Sequence, residues 1–382
     1  MSILFFTNIY LFFSVYSSIL VGLGKFYYVF IPIILVLTYS QRKIIGKHNY
    51  LISLVVFLGL ISFQSLFILL GNINSNNFYE AINNSKFLLI FLLLPTFIYL
   101  YKVQKIELLF NYLSVFVLSK FLVIFLVILG LYFFNLDRIF VFDTLHIKVN
   151  IFGNLGYQVF DKILIFFPIA LLITEKLNLL MKTIIHLLVL FVLLNSFTLG
   201  IISLYFIIII FIWKEFAIII YTFALFYFLF LLDFTVVMDS IDTIIKVKSY
   251  SGDVKMEQWV WVFNKLQDML VIGHGLGYKF DIVSNPQGYL IENLYIYFIA
   301  IYGLLLTVVI FIILFILPIY IIFKYNVGIY YKYLLYAHLV LAIGSFSNPY
   351  LLSGLSLVPY VLIFSYFIIK GENNKCKKLL PQ

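Results

Sequence analysis

Charge is scarce in this 382-residue chain. Asp, Glu, Lys and Arg together make up 11% of it, against 64% hydrophobic residues and a mean hydropathy of +1.13. A water-soluble domain of this length needs a polar exterior, so the scarcity of charge excludes one. Cysteine is nearly absent: Cys376 stands alone in the terminal "GENNKCKKLLPQ". That excludes an intramolecular disulfide and a thiolate metal cluster, and leaves Cys376 as an inert tail thiol. No D-x-D or H-E-x-x-H motif occurs, so the common metal-ligand sets are missing too. Segments of about ten residues with alternating polarity are not found either, which argues against a transmembrane β-barrel. The first apolar segment lacks a basic n-region and a small-residue cleavage site, and reads as a retained helix rather than a signal peptide.

What the chain has instead is a series of long apolar runs, each able to cross a bilayer. The expected fold is all-α, a polytopic integral membrane protein of about 12 transmembrane helices. The spans fall roughly at 3–20, 26–40, 51–71, 87–101, 108–135, 162–175, 183–197, 199–213, 216–234, 291–323, 333–347 and 352–369. Residues 1–234 hold the first nine spans, 235–290 a large loop, 291–369 the last three spans and 370–382 a tail. The spans at 108–135 and 291–323 exceed what a bilayer needs, which predicts an interfacial extension or a strong tilt.

Basic residues set the orientation. With the N-terminus inside, the cytoplasmic segments carry 14 of the 25 basic and four of the 16 acidic residues. The outer segments carry ten basic and twelve acidic residues, so the balance is +10 inside against −2 outside, with Lys120 within a span. Both termini are then cytoplasmic. The net charge of +9 is a topology signal and implies no nucleic-acid partner.

Most connections are short, but the stretch from Thr235 to Leu290 is long enough for a small fold on the outer face, and loops of that length are usually functional. Within it, "DVKMEQWVWVFNKLQDML" (253–270) predicts an amphipathic helix, with Asp253 as N-cap. Met256, Trp259, Val260, Phe263, Leu266 and Leu270 form its apolar stripe, lying on a membrane surface or on the protein. Trp259 also has the chemistry of a sugar-stacking platform. "GHGLG" (273–277) follows, with glycines at alternate positions that let the backbone bend or approach a ligand closely. It reads equally as a re-entry turn at the membrane interface. His274 inside it is a candidate proton carrier or substrate contact. "ENLYIYFIAIYG" (292–303) then places Glu292 and Asn293 at the mouth of an apolar segment.

From Lys255 to Trp259 is four residues, from Lys255 to Gly273 eighteen, and from Glu292 to Gly303 eleven. On these residues the chain resembles the superfamily of O-antigen polymerases and O-antigen ligases of bacterial cell envelopes. In that family a basic residue opens a loop helix, a tryptophan follows one turn later and a glycine-rich turn closes it. Next comes a histidine or acidic residue with asparagine, at x10-G spacing. "SFSNPYLLSG" (345–354) resembles the family's outer turn near its last helices. The resemblance covers the topology of the whole chain, but its residue-level part only about 255–303 and 345–354. Three positions depart from the pattern. Lys255 replaces the usual arginine, losing a bidentate fork for phosphate. "NSFTLG" (195–200) lacks the arginine of ligase-like members, and Glu292 replaces their histidine, which favours the polymerase branch.

The resemblance implies a glycosyltransferase of the bacterial inner membrane. It joins a sugar hydroxyl of one lipid-linked oligosaccharide to the anomeric carbon of a glycan carried on undecaprenyl diphosphate. Lys255 is then the cation for the departing diphosphate, aided by a helix N-terminus, and Glu292, partly desolvated, the base for the attacking hydroxyl. Arg138, Lys246 and Lys248 are further candidate phosphate contacts, and Asn293 a candidate for orienting a sugar or the carboxylate. No cofactor is implied, and a metal-independent transfer is expected. Expected partners are the lipid-linked oligosaccharides, the lipid bilayer, and a chain-length regulator and flippase of the same pathway. Each residue has a plainer reading. Lys255 is also a solvated helix residue, Arg138 a partner for Asp137 or Asp143, Glu292 a marker of the span's start, and Lys120 a snorkelling cation. His48, His186 and His338 read as packing residues. Two rival functions remain: an O-antigen ligase acting on lipid A-core, and a flippase for the lipid-linked unit.

Overall fold

The computed structural model describes residues 2–16, 26–74, 76–134, 136–145, 147–151, 157–196, 198–212, 252–282, 288, 291–325, 327–346 and 356–379. These are helical almost throughout, and fall into two compact units. The helix expected at 216–234 lies outside the described residues, as do Lys246, Lys248 and residues 347–355 of the "SFSNPYLLSG" turn.

One unit comprises Met1–Tyr10, Tyr28–Phe110 and Asp253–Gln382. It contains most of α1 (Ser2–Val15), then α2 (Phe30–Ser40), α3 (Arg42–Ile45), α4 (Lys47–Ile73), α5 (Phe78–Ser85) and α6 (Leu94–Lys102). Only 17% of the most apolar stretch of α4 is buried inside the protein. Its outward faces are apolar all the same, with Val55, Leu58, Leu66 and Leu69 exposed. Exposed aliphatic residues around most of a helix require hydrocarbon as the solvent. Among the described residues, four continuous helical stretches are long and apolar enough to cross a membrane: Lys47–Ile73, Phe78–Lys102, Ile106–Phe133 and Leu304–Lys324. Six more apolar helices are shorter.

The stretch Phe78–Lys102 is not uniform. Lys86–Leu93 is a 3-10 helix and becomes α-helical only as Pro95 enters the first turn of α6. Pro95 has no amide to donate, and it sits in the first turn of α6, where a helix needs none.

The span expected at 291–323 is two helices rather than one. After α12 (252–264) come α13 (Leu294–Tyr302) and α14 (Leu304–Phe311), divided at Gly303 with φ +89°. The helix then passes through a π turn at Ile312–Ile316 into α15 (Leu317–Lys324). Pro318, in the first turn of α15, has no amide to give to the carbonyl of Leu314. His338 of α16 (Ile329–Gly344) supplies the missing hydrogen from Nε2. His338 is thus a packing residue with a defined role, satisfying the backbone that a proline leaves open. α17 (Val358–Leu379) packs on α6 and α16, with Tyr101, Tyr331 and Tyr366 clustered between them. It runs through much of the segment assigned above to a tail.

The other unit comprises Leu11–Tyr27 and Asn111–Gly252. It holds most of α7 (Ile106–Phe133), α8 (Arg138–Leu145), a two-stranded hairpin of β1 (Lys148–Ile151) and β2 (Tyr157–Phe160), α9 (Phe167–Leu171), α10 (Leu179–Leu194) and α11 (Leu199–Ile212). The short hairpin, antiparallel with Lys148 opposite Phe160, is a local exception in a fold that is otherwise helical. It is tied to the end of α10: Val159 donates its amide to the Asn195 carbonyl, and Gln158 its side-chain amide to that of Ser196. Lys120 does not snorkel. Its ammonium lies 3.0 Å from Asp161 and donates to the Val15 carbonyl at 3.1 Å, fully buried. His186 is buried and within 3.3 Å of the Tyr205 hydroxyl; His48 is exposed.

Candidate functional site

The large loop is fastened to the first unit by backbone. "GHGLG" lays its amides along the carboxyl end of α13: His274 donates to the Ala300 carbonyl at 2.8 Å and Gly275 to that of Ile301 at 3.1 Å. The last carbonyls of a helix lack internal partners, so the turn completes them. The amide of Leu276 donates to Phe67 in α4, while Asn74 and Asn76 donate to the His274 carbonyl. This approach leaves no room for side chains. A Cβ on Gly275, whose φ is +80°, would stand 2.4 Å from the Gly71 nitrogen. One on Gly303 would stand 2.6 Å from the Val271 carbonyl oxygen. The turn therefore plays the structural part open to it, and Gly303, eleven residues after Glu292, ends α13 where the loop crosses.

On that anchorage stands α12. Asp253 is itself helical, and so is not the N-cap expected of it. The expected apolar stripe points outward, with Met256, Trp259, Val260 and Phe263 all exposed. Trp259 and Phe263 stack at 5.5 Å. The stripe therefore does not pack on the described residues of the protein. The inward face carries Lys255, Gln258 and Val262, spaced at three and four residues.

Gln258, 2% exposed, accepts the backbone amide of Glu292 through Oε1 at 3.1 Å. One residue on, the side-chain oxygen of Asn293 accepts the amides of Tyr295 and Ile296, capping α13. Asn293 is 3% exposed. Its oxygen is engaged by the helix terminus, which places it behind the site as a support. Leu294 donates to the Ser345 carbonyl just beyond α16, and the Tyr302 hydroxyl to Gln64 of α4, so α13 is tied to both helices.

Held in this way, the Glu292 carboxylate meets the Lys255 ammonium at 3.8 Å. Their side chains are 29% (Lys255) and 44% (Glu292) exposed. The desolvation expected for Glu292 is therefore slight. Pairs this accessible contribute little stability, so two opposite charges are presented to the surroundings from a rigid mount. Gln258 escaped the sequence reading. Its signal was its place one helical turn after Lys255, on the face opposite the apolar stripe.

His274 stacks on Tyr278 at 4.3 Å between ring centroids, with Trp261 at 6.1 Å. Burial lowers its pKa from 6.5, and the nearby Lys265 cation lowers it further, so the ring is neutral at pH 7. Lys265 itself lies 4.6 Å from the Trp261 ring centre. Arg138 opens α8 in the other unit and is exposed; the neighbouring Asp137 carboxylate accepts the Ile139 amide. No group of three or more His, Cys, Asp or Glu suited to a metal occurs among the described residues. No protein-family model, no curated protein and no solved structure matches the chain.

Proposed function

We propose that the protein is a polymerase of undecaprenyl-diphosphate-linked oligosaccharide repeat units, making O-antigen, capsule or exopolysaccharide on the outer face of a bacterial inner membrane. The observation that carries the reading is the Lys255–Glu292 pair, two opposite charges 3.8 Å apart at the start of a buried helix. Glycosyl transfer from a lipid diphosphate needs those two charges around one anomeric carbon. The Glu292 carboxylate takes the proton of the attacking hydroxyl as the new C–O bond forms. The Lys255 ammonium neutralises the diphosphate oxygen that leaves with the electron pair of the broken bond. In the resting protein each charge satisfies the other; entry of a diphosphate gives Lys255 a stronger partner and releases Glu292 to act as base.

Further support comes from helices apolar enough to lie in a bilayer, and from the outward apolar stripe of α12, which fits a site close to a membrane surface. Twelve spans with both termini in the cytoplasm fit the charge asymmetry of the sequence. A chain-length regulator and a flippase of the same pathway are the expected partners. The transfer is metal-independent in this reading, and EDTA leaves it unchanged.

The experiment is a deletion strain. Loss of this protein leaves lipid A-core bearing one repeat unit. Bare core with lipid-linked units on the outer face indicates a ligase instead, and units trapped on the cytoplasmic face a flippase.

A further inference from the structure

At the end of the first unit away from Glu292, four helices meet around tyrosine rings. They contribute the carboxyl ends of α6 and α15, the amino end of α16 and the middle of α17. Tyr366 of α17 has the rings of Tyr331, Tyr101 and Tyr325 at 4.6, 5.6 and 6.4 Å. Lysines flank the cluster. The Lys370 ammonium lies 5.6 Å from the Tyr366 ring centre, and that of Lys324 lies 5.7 Å from the Tyr325 ring centre. Among the described side chains of these four helices there is no carboxylate; Glu107 of α7 is exposed, and the side chain of Glu372 lies outside the described residues. Positive charge at a membrane boundary serves topology, but topology asks for nothing buried between the lysines. Here the hydroxyls of Tyr101 and Tyr331 are buried with no hydrogen-bond partner among the described residues, and Tyr331 is 7% exposed.

Unpaired hydroxyl donors between cations call for an acceptor that carries negative charge. The amino end of α16 favours the same ligand. Gly328 precedes it with no side chain to cap its amides, and Tyr331 stands in its first turn. A phosphodiester supplies two charged oxygens to such donors. We propose that this junction binds the phosphate of an anionic phospholipid, such as phosphatidylglycerol, drawn from the leaflet on its own side. A headgroup with an ammonium of its own, as in phosphatidylcholine, is repelled by Lys324 and Lys370. Lys324 points to a lipid over a free phosphate. It ends a stretch long and apolar enough to cross a membrane, and it follows Phe323, which is 79% exposed. Its ammonium donates to the exposed Tyr320 hydroxyl at 2.6 Å, one turn back. An acyl chain lying along that flank brings its headgroup to Lys324. The junction is separate from the Lys255–Glu292 pair. Leu294, two residues after Glu292, donates to Ser345 beyond the carboxyl end of α16. Tyr331 comes about four helical turns before Ser345, roughly 21 Å along the axis. The assignment therefore does not rest on the polymerase reading.

The test uses the full-length protein in a neutral detergent, with phosphatidylglycerol carrying a diazirine in its headgroup. Crosslinked peptides are mapped by mass spectrometry. Labelling is expected at residues 101–102, 324–325 and 366–370. Unlabelled phosphatidylglycerol should displace it, whereas phosphatidylcholine and inorganic phosphate at the same concentration should not. Displacement by inorganic phosphate makes the ligand a soluble anion, and equal displacement by phosphatidylcholine makes the contact an unselective one. Either result overturns the proposal, as does labelling confined to other peptides. All three are read on the unaltered protein, whether or not a variant folds. Lys324→Gln combined with Lys370→Gln should lower labelling roughly tenfold, and Tyr331→Phe, which removes only a hydroxyl, about threefold. Lys43→Gln combined with Lys47→Gln, two exposed lysines where α3 passes into α4, should leave it unchanged. An equal loss in the two lysine pairs would mean diffuse attraction to a basic surface, and would overturn the site.

Discussion

Lys120 and Asp161 face each other across 3.0 Å, with side chains 0% and 4% exposed. The Asp161 carboxylate also caps the following 3-10 helix by accepting the Ile163 amide, and Lys120 holds the carbonyl of Val15 near the end of α1. Three elements distant in sequence thus converge on one ion pair inside an apolar unit. Removing one member strands the other charge, at a cost of about 3–5 kcal/mol. Lys120→Met should therefore lower thermal stability in detergent strongly. Adding Asp161→Asn, which keeps the capping oxygen, should recover most of the loss. Additive losses in the double variant would show that the pair is not what stabilises this unit.

His338 donates to the carbonyl that Pro318 leaves without an amide donor. His338→Phe should cost about 1–3 kcal/mol, the typical cost of a buried carbonyl left unpaired. The same change in a Pro318→Ala background should cost less, because the alanine amide can serve Leu314. A thermal-unfolding cycle over the four proteins measures the coupling, and equal costs in both backgrounds would contradict it.

These two pairs mark where the sequence stops being readable. Apolar runs locate most helices, because lipid-facing faces are apolar all round and need no partner to be recognised. They hide the break at Gly303, since hydrophobic residues continue on both sides and the carbonyls freed there are taken up by residues 274 and 275. Partnerships such as Lys120 with Asp161, 41 positions apart, have no periodicity to reveal them. The β1–β2 hairpin did leave a trace. "KVNI" and "YQVF" alternate in polarity around "FGNLG", a pattern that an all-helical expectation passed over. In the candidate site Lys255 and Glu292 were named from the family resemblance, whereas Gln258 and the capping role of Asn293 emerge only from the geometry.

The turn at 273–277 makes a prediction about pH. The folded protein lowers the pKa of His274 from 6.5 through burial, so the unfolded or detached loop binds a proton more readily. The stabilisation is complete above pH 6.5 and is lost as pH falls below that value toward the folded pKa. In a Cys376→Ser background, a cysteine placed at Val262 should become more reactive to a thiol reagent on acidification, after correction for the reagent's own pH dependence. His274→Phe should abolish the change. An unaltered pH profile in that variant would assign the effect elsewhere.

Gly275→Ala should release the same loop at every pH. Its φ of +80° and the 2.4 Å approach to Gly71 leave a methyl group no place. The cysteine at Val262 should be reactive even at pH 8, while the protein still inserts in the membrane. Continued protection would mean that the neighbouring backbone yields at little cost.

The most direct measurement is a charge exchange. Lys255→Glu combined with Glu292→Lys keeps an ion pair at the start of α13 but puts a carboxylate where the proposed mechanism needs a cation for the diphosphate. Single Lys255→Ala and Glu292→Gln variants are expected to elongate glycan 10²–10⁴-fold more slowly, as loss of a catalytic acid or base typically does. The exchanged protein, assayed with lipid-linked repeat units in vesicles, is expected to be as inactive as the singles. Long-chain product from the exchanged protein would mean that the pair only braces the loop, and that transfer chemistry happens elsewhere.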